Sequence, residues 1–341
     1  MRASLMLGIA VLSVSAALGI SRAHAAESVG PKVMAFYYTW YGAPPVSGTW
    51  LHWPEGGHNP DHLDAKGLPD IGATNHPRFW PYDAGDPKLI DHQLELANRA
   101  GVDVLISTWW FRDDNHDRNL HKVLDRIDAT GSKVRMSAYY ETIDGESAER
   151  AIEGLRYIAR EHGKREGFFK LDGLPVIFVY GRAMGQIAMK EWDEVCRALK
   201  DEAVLVADRY SKSAARTFAG VHTYNPFGLI VNNADMAKAY NSAVKLARTH
   251  GKISCLTVIP GYDDSNIGRS RVTVAERKAG KLYEDLWKKT IAAQPDWILI
   301  TSWNEWHEGS EIEPSVENGD MYIEMTARFS RLFRSRYSPP D

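Results

Sequence analysis

The chain is poor in cysteine, with only Cys196 and Cys255 among 341 residues. Two cysteines are too few for the disulfide framework that stabilises small secreted scaffolds. Cys196 falls in a helical pattern and Cys255 in a strand pattern, so a layered fold would place them in different layers. We therefore expect two buried free thiols and a fold that is stabilised by its hydrophobic core.

Several catalytic motifs are also missing. No G-x-G-x-x-G follows the first predicted strand, and neither G-x-S-x-G nor H-E-x-x-H occurs, which argues against a dinucleotide fold, a serine nucleophile elbow and a zincin. His52, His58 and His62 match no zinc spacing. Residues 263–266 lack the glycine and terminal glutamate of an EF-hand loop, so we interpret them as a solvated turn. We predict no metal and no cofactor.

The charge balance is only mildly acidic, at a formal net charge of −3, with 44% hydrophobic residues. The chain has no excess of basic residues, so its charge does not indicate nucleic acid or an anionic membrane surface as a partner. The hydrophobic content is sufficient for a sizeable core. The length suits one large α/β domain or two small ones.

The one long apolar run is at the N-terminus. Arg2 precedes an apolar segment over residues 5–20, and Ala23-His24-Ala25 forms a small-x-small cleavage site. A membrane anchor is the alternative, but a span needs about 20 apolar residues. We predict a signal peptide over residues 1–25, and an exported single domain over residues 26–341 that has no membrane association after cleavage.

Apolar strand-like runs alternate with helical patterns through the rest of the chain, which is typical of βαβ units and a parallel sheet. Helices are predicted at 149–160, 187–199, 234–248, 274–292 and 321–333, with Asp86-Pro87 opening another that Gly101 ends. Eight such units predict a (β/α)8 TIM barrel. Between the fifth and sixth strands only a very short helix fits, so one of those two strands is open to question. The predicted strands are 33–39, 102–108, 133–139, 175–180, 203–207, 220–224, 254–259 and 297–302.

The first predicted strand is followed by the longest irregular segment, residues 42–84. It carries many Gly, Pro and His residues. A loop of about forty residues inside a compact domain is usually functional, because long loops without secondary structure are otherwise uncommon. We place this loop over the mouth of the barrel.

The eighth strand runs directly into Trp303-Asn304-Glu305-Trp306-His307-Glu308-Gly309. Catalytic residues of parallel α/β proteins lie at the C-terminal ends of strands. Glu305 and Glu308 are three residues apart, so one turn would put their Cβ atoms roughly 5–6 Å apart. Retaining glycosidases require two carboxyl groups about 5–5.5 Å apart. The block therefore predicts sugar chemistry, while Glu311 and Glu313 could form an ordinary acidic rim.

The other predicted strand ends are rich in aromatic residues, whose flat faces and polar edges suit pyranose rings. For Tyr37, Tyr139 and Trp297 we favour a place in the barrel core. Glu141 follows an apolar strand, and a buried carboxylate there is costly unless it is bonded, which favours recognition of sugar hydroxyls. A pocket role is favoured for the aromatic residues next to turns and loops, namely Trp53, Trp110, Trp303 and Trp306.

These motifs together resemble glycoside hydrolase family 99, the endo-acting α-mannosidases and α-mannanases, over nearly the whole chain after residue 25. The most specific part runs from Thr301 through Asn304-Glu305-Trp306-His307-Glu308 to Pro314. Two departures, at Trp303 and at Ser310-Glu311, leave the catalytic pair intact. The supporting matches are Phe36 to Gly42, His52-Trp53, Tyr82 to Pro87, Ala100 to Asp103 and Ser107 to Trp110.

The resemblance implies a (β/α)8 barrel that cleaves internal α-mannosidic bonds with retention and without a cofactor. It implies that Glu305 deprotonates the substrate 2-hydroxyl, which attacks its own anomeric carbon to give a 1,2-anhydro sugar. Glu308 would act as general acid and then general base, and Glu141 resembles a pocket glutamate of the family. The predicted substrate-binding residues are Tyr41, His52, Trp53, Trp110, Glu141, Tyr224, Asn304, Trp306 and His307.

Three alternatives stay open at this point. The same scaffold could act on another α-linked polysaccharide, including one that carries uronic acids. It could be a non-catalytic glycan-binding protein, although such a protein has no need of both Glu305 and Glu308. A metal-dependent polysaccharide esterase would need a ligand set that the sequence lacks. The partner we expect is an oligo- or polysaccharide, bound by a monomer.

Overall fold

The computed structural model describes residues 29–336, and its centre is a closed barrel of eight parallel strands. The strands are β1 (Lys32–Tyr37), β2 (Val104–Trp109), β3 (Arg135–Tyr140), β4 (Leu174–Val179), β5 (Val204–Asp208), β6 (Gly220–His222), β7 (Ile253–Val258) and β8 (Trp297–Ile300). Each strand is parallel to its neighbour in the chain, and β1 closes the ring by pairing with β8, with Lys32 opposite Trp297. The predicted (β/α)8 barrel is confirmed.

Within residues 29–336 one main helix follows each strand, and three shorter helices lie in the connections: Pro44–Ser47, Gly181–Gln186 and Phe227–Val231. The first main helix illustrates how the sequence sets its bounds: the Asp86 carboxylate accepts a hydrogen bond from the Lys88 N–H, Pro87 opens the helix, and Gly101 ends it at φ 71°. The main helices are α1 (Pro87–Ala100), α2 (Asn115–Thr130), α3 (Ala148–Glu161), α4 (Met189–Ala198), α5 (Lys212–Thr217), α6 (Met236–Thr249), α7 (Lys281–Ala293) and α8 (Met321–Arg336).

Two sequence-based expectations about these connections change. The questioned β5–β6 link is real, because the six-residue helix α5 is sufficient to bring Val206 beside Gly220 in parallel register. The helix predicted over residues 274–292 was wrong at its start. Val274–Ala275 instead pairs with Tyr262–Asp263 as a short antiparallel ribbon, and α7 begins only at Lys281.

The core has two layers because the side chains of a strand alternate in direction. On β1, Met34 and Phe36 point into the barrel, and the next inward residue along the chain is Tyr38. Val33 and Tyr37 face the surrounding helices. Tyr139 and Trp297 fill the inside of the barrel as predicted, whereas Tyr37 is buried in the outer layer.

The long loop crosses the C-terminal mouth of the barrel, as predicted. Its backbone is tied to the loop after β7, since the Asn266 amide donates to the carbonyl oxygens of Ile71 and Ala73 at 2.9 and 2.8 Å. It is also tied to the segment after β8, where the Arg78 N–H donates to the Pro314 carbonyl at 3.0 Å. These bonds hold the loop against the ends of β7 and β8.

Both cysteines are free thiols, with Cys255 buried inside the barrel and Cys196 only partly buried on α4. No helix within residues 29–336 is long and apolar enough to cross a membrane. The predicted signal peptide lies outside the described residues.

The N-cap of α1 gives a direct test of how this helix is defined. We expect Asp86→Ala to lower the free energy of unfolding by about 1 kcal/mol, because the Lys88 N–H loses its acceptor. Asp86→Ser is the matched control, since a hydroxyl caps nearly as well. Urea unfolding followed by circular dichroism measures both variants. Equal stability of the Ala and Ser variants would contradict the proposed cap.

Candidate active site

The two candidate catalytic carboxylates lie just beyond β8. The chain turns after Ile300, and the Ser302 hydroxyl accepts a hydrogen bond from the Glu305 N–H at 2.7 Å. Trp306–Glu308 then forms one 3-10 turn, which Gly309 ends at φ 53°. A residue with a Cβ is strained at this φ, so glycine suits the position. Glu305 and Glu308 thus reach the barrel mouth from two sides of one short turn.

Glu308 is held by a chain of phenols. Its Oε2 accepts from the Tyr224 hydroxyl at 3.1 Å, and Tyr224 in turn accepts from the Tyr38 hydroxyl at 2.7 Å. Its Oε1 lies 3.4 Å from the Tyr262 hydroxyl and 3.8 Å from the Arg269 guanidinium. The side chain keeps 18% of its surface exposed, so it can exchange protons with water.

Glu305 is more enclosed and only partly bonded. Among the described residues its Oε1 has no hydrogen-bond partner, although the residue is 2% exposed. The Nδ1 of His307 lies 3.8 Å from that oxygen, while His307 Nε2 bonds the His52 carbonyl at 2.9 Å. A carbonyl only accepts, so Nε2 carries the proton and Nδ1 is an acceptor. Two acceptors therefore converge where a sugar hydroxyl can donate.

Burial dominates the electrostatics of this pair. It raises the pKa of Glu305 well above its usual range, and the nearby Glu308 carboxylate adds to the effect. Burial also raises the pKa of Glu308, while Arg269 and the two tyrosine hydroxyls oppose that rise. Burial lowers the pKa of His307 to about 4, so its imidazole is neutral near pH 7. A raised carboxyl pKa is what general acid–base chemistry near neutral pH requires.

Glu141 is in the same mouth, at the end of β3. The Thr108 hydroxyl donates to its Oε1 at 2.8 Å, and the Trp110 indole N–H donates to that hydroxyl at 3.2 Å. Burial raises the pKa of Glu141 to about 7, and the positive charge of Arg182 opposes the rise. The Arg182 guanidinium lies 4.4 Å above the Trp110 ring. The result is a polar wall opposite the β8 turn.

The predicted substrate-binding residues divide into two groups. His52, Trp110, Glu141, Tyr224 and His307 surround the carboxylates or the mouth. The others are at most 1% exposed and support the site from behind: Tyr41, Trp53, Asn304 and Trp306.

The supporting group is bonded to the walls of the site. Trp53 stacks on Tyr41 at 4.2 Å, and the Trp306 indole donates to the Tyr82 hydroxyl at 2.9 Å. The Asn304 amide donates to the Tyr38 carbonyl at 2.8 Å. The pocket role predicted for Trp303 was wrong, because its ring packs between the barrel and the helices.

Glu311 and Glu313 are not an acidic rim. Glu311 accepts from Asn75 at 2.9 Å and pairs with Arg277 at 2.5 Å. Glu313 accepts from Gln93 at 2.6 Å and from the Tyr82 hydroxyl at 2.7 Å. Both carboxylates are almost fully buried, at 1% and 3% exposure. They tie the segment after Glu308 to the long loop and to α1.

The solvated turn predicted at 263–266 was also wrong. Asp264 is 3% exposed and pairs with Arg269 at 2.9 Å, which holds Arg269 toward Glu308. Tyr38, Tyr262 and Arg269 are the functional candidates missed from the sequence. Tyr38 had a signal, since it follows β1 in an aromatic run. Arg269 had none, because it lies eleven residues beyond the end of β7.

One cluster outside the mouth has a metal-like composition: Asp117, His121 and His162. Both Asp117 oxygens are already hydrogen-bonded, one to the Trp109 indole and His162, the other to the Asp113 N–H and the Tyr157 hydroxyl. A carboxylate with four donors has little capacity left for a cation. The cluster therefore fits a structural link between α2 and the end of α3.

A closed (β/α)8 barrel with paired carboxylates after β8 and aromatic walls defines a class, the barrel glycoside hydrolases. The chain belongs to glycosyl hydrolase family 99, whose sequence pattern matches residues 29–327. The resemblance that the β8 block predicted is confirmed, and with it a glycoside hydrolase.

Relatives and solved structures agree with this assignment. The chain is 24% identical to the mouse glycoprotein endo-α-1,2-mannosidase, covering 88% of this chain and 74% of that protein. The Xenopus laevis enzyme of the same name is 26% identical, covering 87% and 76%. The structure of the family 99 endo-α-mannosidase from Bacteroides thetaiotaomicron superposes with a TM-score of 0.75 at 27% identity, covering 89% of this chain and 97% of that one.

Glu313 allows a test of the buried network through the pH dependence of stability. Burial raises its pKa from about 4.5 to about 7. The folded state then binds this proton more tightly than the unfolded state. The carboxyl's contribution to the free energy of unfolding is therefore present below about pH 4.5 and is lost as the pH rises through about 7. The loss amounts to about 3 kcal/mol for this carboxyl.

We therefore expect Glu313→Gln to remove that decline, measured by urea unfolding between pH 4 and 8. Glu95→Gln, at an exposed position on α1, should keep the wild-type pH dependence. If the Glu313→Gln and wild-type curves run parallel over this range, the carboxyl is not a buried proton acceptor.

Proposed function

We propose that this protein is an exported retaining α-glycoside hydrolase that cleaves within α-mannan or a related α-linked glycan. The observation that carries the proposal is the β8 turn at the barrel mouth. There one buried oxygen of Glu305 has no hydrogen-bond partner among residues 29–336, and both oxygens of Glu308 lie within reach of tyrosine hydroxyls. The endo-α-mannosidases to which the chain is similar support α-mannosides as the substrate class.

In the proposed first step, Glu305 takes the proton of the substrate 2-hydroxyl while O2 attacks the anomeric carbon. The bond from that carbon to the leaving oxygen breaks, and Glu308 gives its proton to the leaving oxygen. A 1,2-anhydro sugar and a shortened glycan result. In the second step, water attacks the anomeric carbon and the bond from that carbon to O2 breaks, while Glu308 takes the water proton and Glu305 returns its proton to O2. Two inversions give retention.

The surroundings of each carboxyl support these roles. Glu308 takes its proton back from the attacking water in the second step, and its partial exposure leaves water access to it. Glu305 needs contact only with the sugar, which fits its enclosure beside the acceptor Nδ1 of His307. Burial raises the pKa of Glu305, so its ionised form is a stronger base. Arg269 and the backbone N–H of His307 favour that ionised form.

A glycan that carries uronic acids is the second candidate substrate, and one observation favours it. The Arg182 guanidinium stacks on Trp110 and forms no ion pair with any of residues 29–336. Guanidinium groups bind carboxylates well. Product analysis on neutral α-mannan and on uronic-acid-containing α-glycans separates the two candidates.

We expect Glu305→Gln and Glu308→Gln each to lower kcat on α-mannan oligosaccharides by at least about 10²-fold, which is the lower end of what general acid–base catalysis contributes. The fold should be retained, as judged by circular dichroism. Glu95→Gln is the matched control and should keep wild-type turnover. Near wild-type activity in either active-site variant would exclude that residue from the chemistry.

The role of the 2-hydroxyl can be tested with the substrate. If O2 is the nucleophile, a 2-deoxy-2-fluoro glycoside with a good leaving group should neither turn over nor form an adduct, although it binds as a competitive inhibitor. Intact-protein mass spectrometry detects an adduct, and inhibition kinetics establish binding. A glycosyl ester on Glu305 would show a conventional carboxylate nucleophile instead.

A further inference from the structure

A second cavity of about 530 Å³ opens beside the candidate active site. It lies outside the barrel wall, between the ends of β2 and β3 and the first turns of α3. Trp109 and Tyr140 point outward from their strands to form its inner wall, because strand side chains alternate in direction. Its volume is in the range of small-molecule sites, about 300–1,000 Å³, which is enough for a mono- or disaccharide.

Hydrogen bonds link the cavity to the active site through Trp110. This half-buried indole lines the cavity, and its N–H bonds Thr108, whose hydroxyl bonds Glu141 in the mouth. The centroid of the His116 ring lies 6.1 Å from the centroid of the Trp110 ring and 6.1 Å from that of the Trp40 ring. A row of rings therefore leads from the cavity over the barrel rim toward the catalytic turn.

The lining combines an apolar face with a free hydroxyl. Phe111 is 42% exposed, which is high for an aromatic ring beside a pocket. Tyr140 is 1% exposed, yet its hydroxyl hydrogen-bonds to no other described residue and points toward Gly154 across the cavity floor. A Cβ at position 154 would lie 2.7 Å from that hydroxyl, so only glycine lets the hydroxyl pack this close to α3. Rings with a polar edge are suited to sugars.

The charges around the cavity balance. Arg112 and Arg150 contribute two positive charges, and Asp144 and Glu153 two negative ones. Arg150 pairs with Glu153 at 2.9 Å, and the Arg112 guanidinium lies 4.9 Å over the Tyr157 ring. This arrangement favours a neutral polyhydroxyl ligand over an anion or a cation.

We propose that this cavity binds a further neutral sugar unit of the same glycan whose scissile bond lies at Glu305 and Glu308. The inference rests on the proposed function and extends it, because the substrate must then be long enough to cross the rim past Trp110. The sugar unit stacks against Phe111 and bonds the Tyr140 hydroxyl.

The test measures kcat/KM for neutral α-mannan oligosaccharides of increasing length. In the wild-type protein kcat/KM should rise once the glycan is long enough to reach the cavity. Tyr140→Phe removes one hydrogen bond and should reduce the ratio of long-chain to short-chain kcat/KM by about 2–10-fold, which corresponds to 0.5–1.5 kcal/mol. Phe111→Ala should reduce the same ratio by a similar factor.

Phe79→Ala is the matched control, because Phe79 is exposed to a similar degree, at 45%, and lies outside the cavity. It should leave the ratio unchanged. A variant that lowers long-chain and short-chain values equally acts on the fold rather than on a sugar subsite. A ratio that neither cavity variant changes overturns the inference.

Binding to Glu308→Gln by calorimetry separates this inference from the proposed function. If the wild-type protein hydrolyses no α-mannan oligosaccharide, the proposed function fails. Even in that case, weaker binding of long chains to the Glu308→Gln/Tyr140→Phe double variant than to Glu308→Gln supports the subsite. Equal binding with and without Tyr140→Phe, or no binding of any chain length, overturns it.

Discussion

Burial of two carboxyl groups three residues apart is the constraint on which the rest of the site depends. Removing Glu305 and Glu308 from water raises the pKa of each, and their proximity raises it further for Glu305. Ionising both at once would be unfavourable without compensating groups. The phenols of Tyr224 and Tyr262 and the guanidinium of Arg269 supply that compensation at Glu308.

The turn that carries the carboxyls is held in place from behind. Glu313 accepts hydrogen bonds from Gln93 on α1 and from Tyr82 on the long loop. The Tyr82 hydroxyl also accepts from Trp306 and Asn304, on either side of Glu305. Because these groups are buried and bonded to one another, the turn has little freedom to move. Rigid support of this kind preorganises catalytic groups and lowers the cost of reaching the reactive geometry.

The long loop and the loop after β7 complete the site. Asn266 joins them through two backbone carbonyl oxygens, and Asp264 directs Arg269 toward Glu308. On the opposite side, Trp110 stands between the mouth and the outer cavity. The site therefore has one side closed by loops and one side that leads over the rim, as a chain-like substrate would require.

The sequence by itself determined the barrel, the place of the carboxyl pair and the family. Short continuous apolar runs, helix caps such as Asp86 and the block around Glu305 are local signals that can be recognised without knowing the tertiary structure. The tertiary structure decided which polar groups are buried together. The sequence shows Glu313, but it does not show that Glu313 pairs with Gln93, which lies 220 residues away. Trp303, Asp264 and Arg269 were misjudged or missed for the same reason: burial and pairing across the barrel mouth depend on closure of the whole ring of strands.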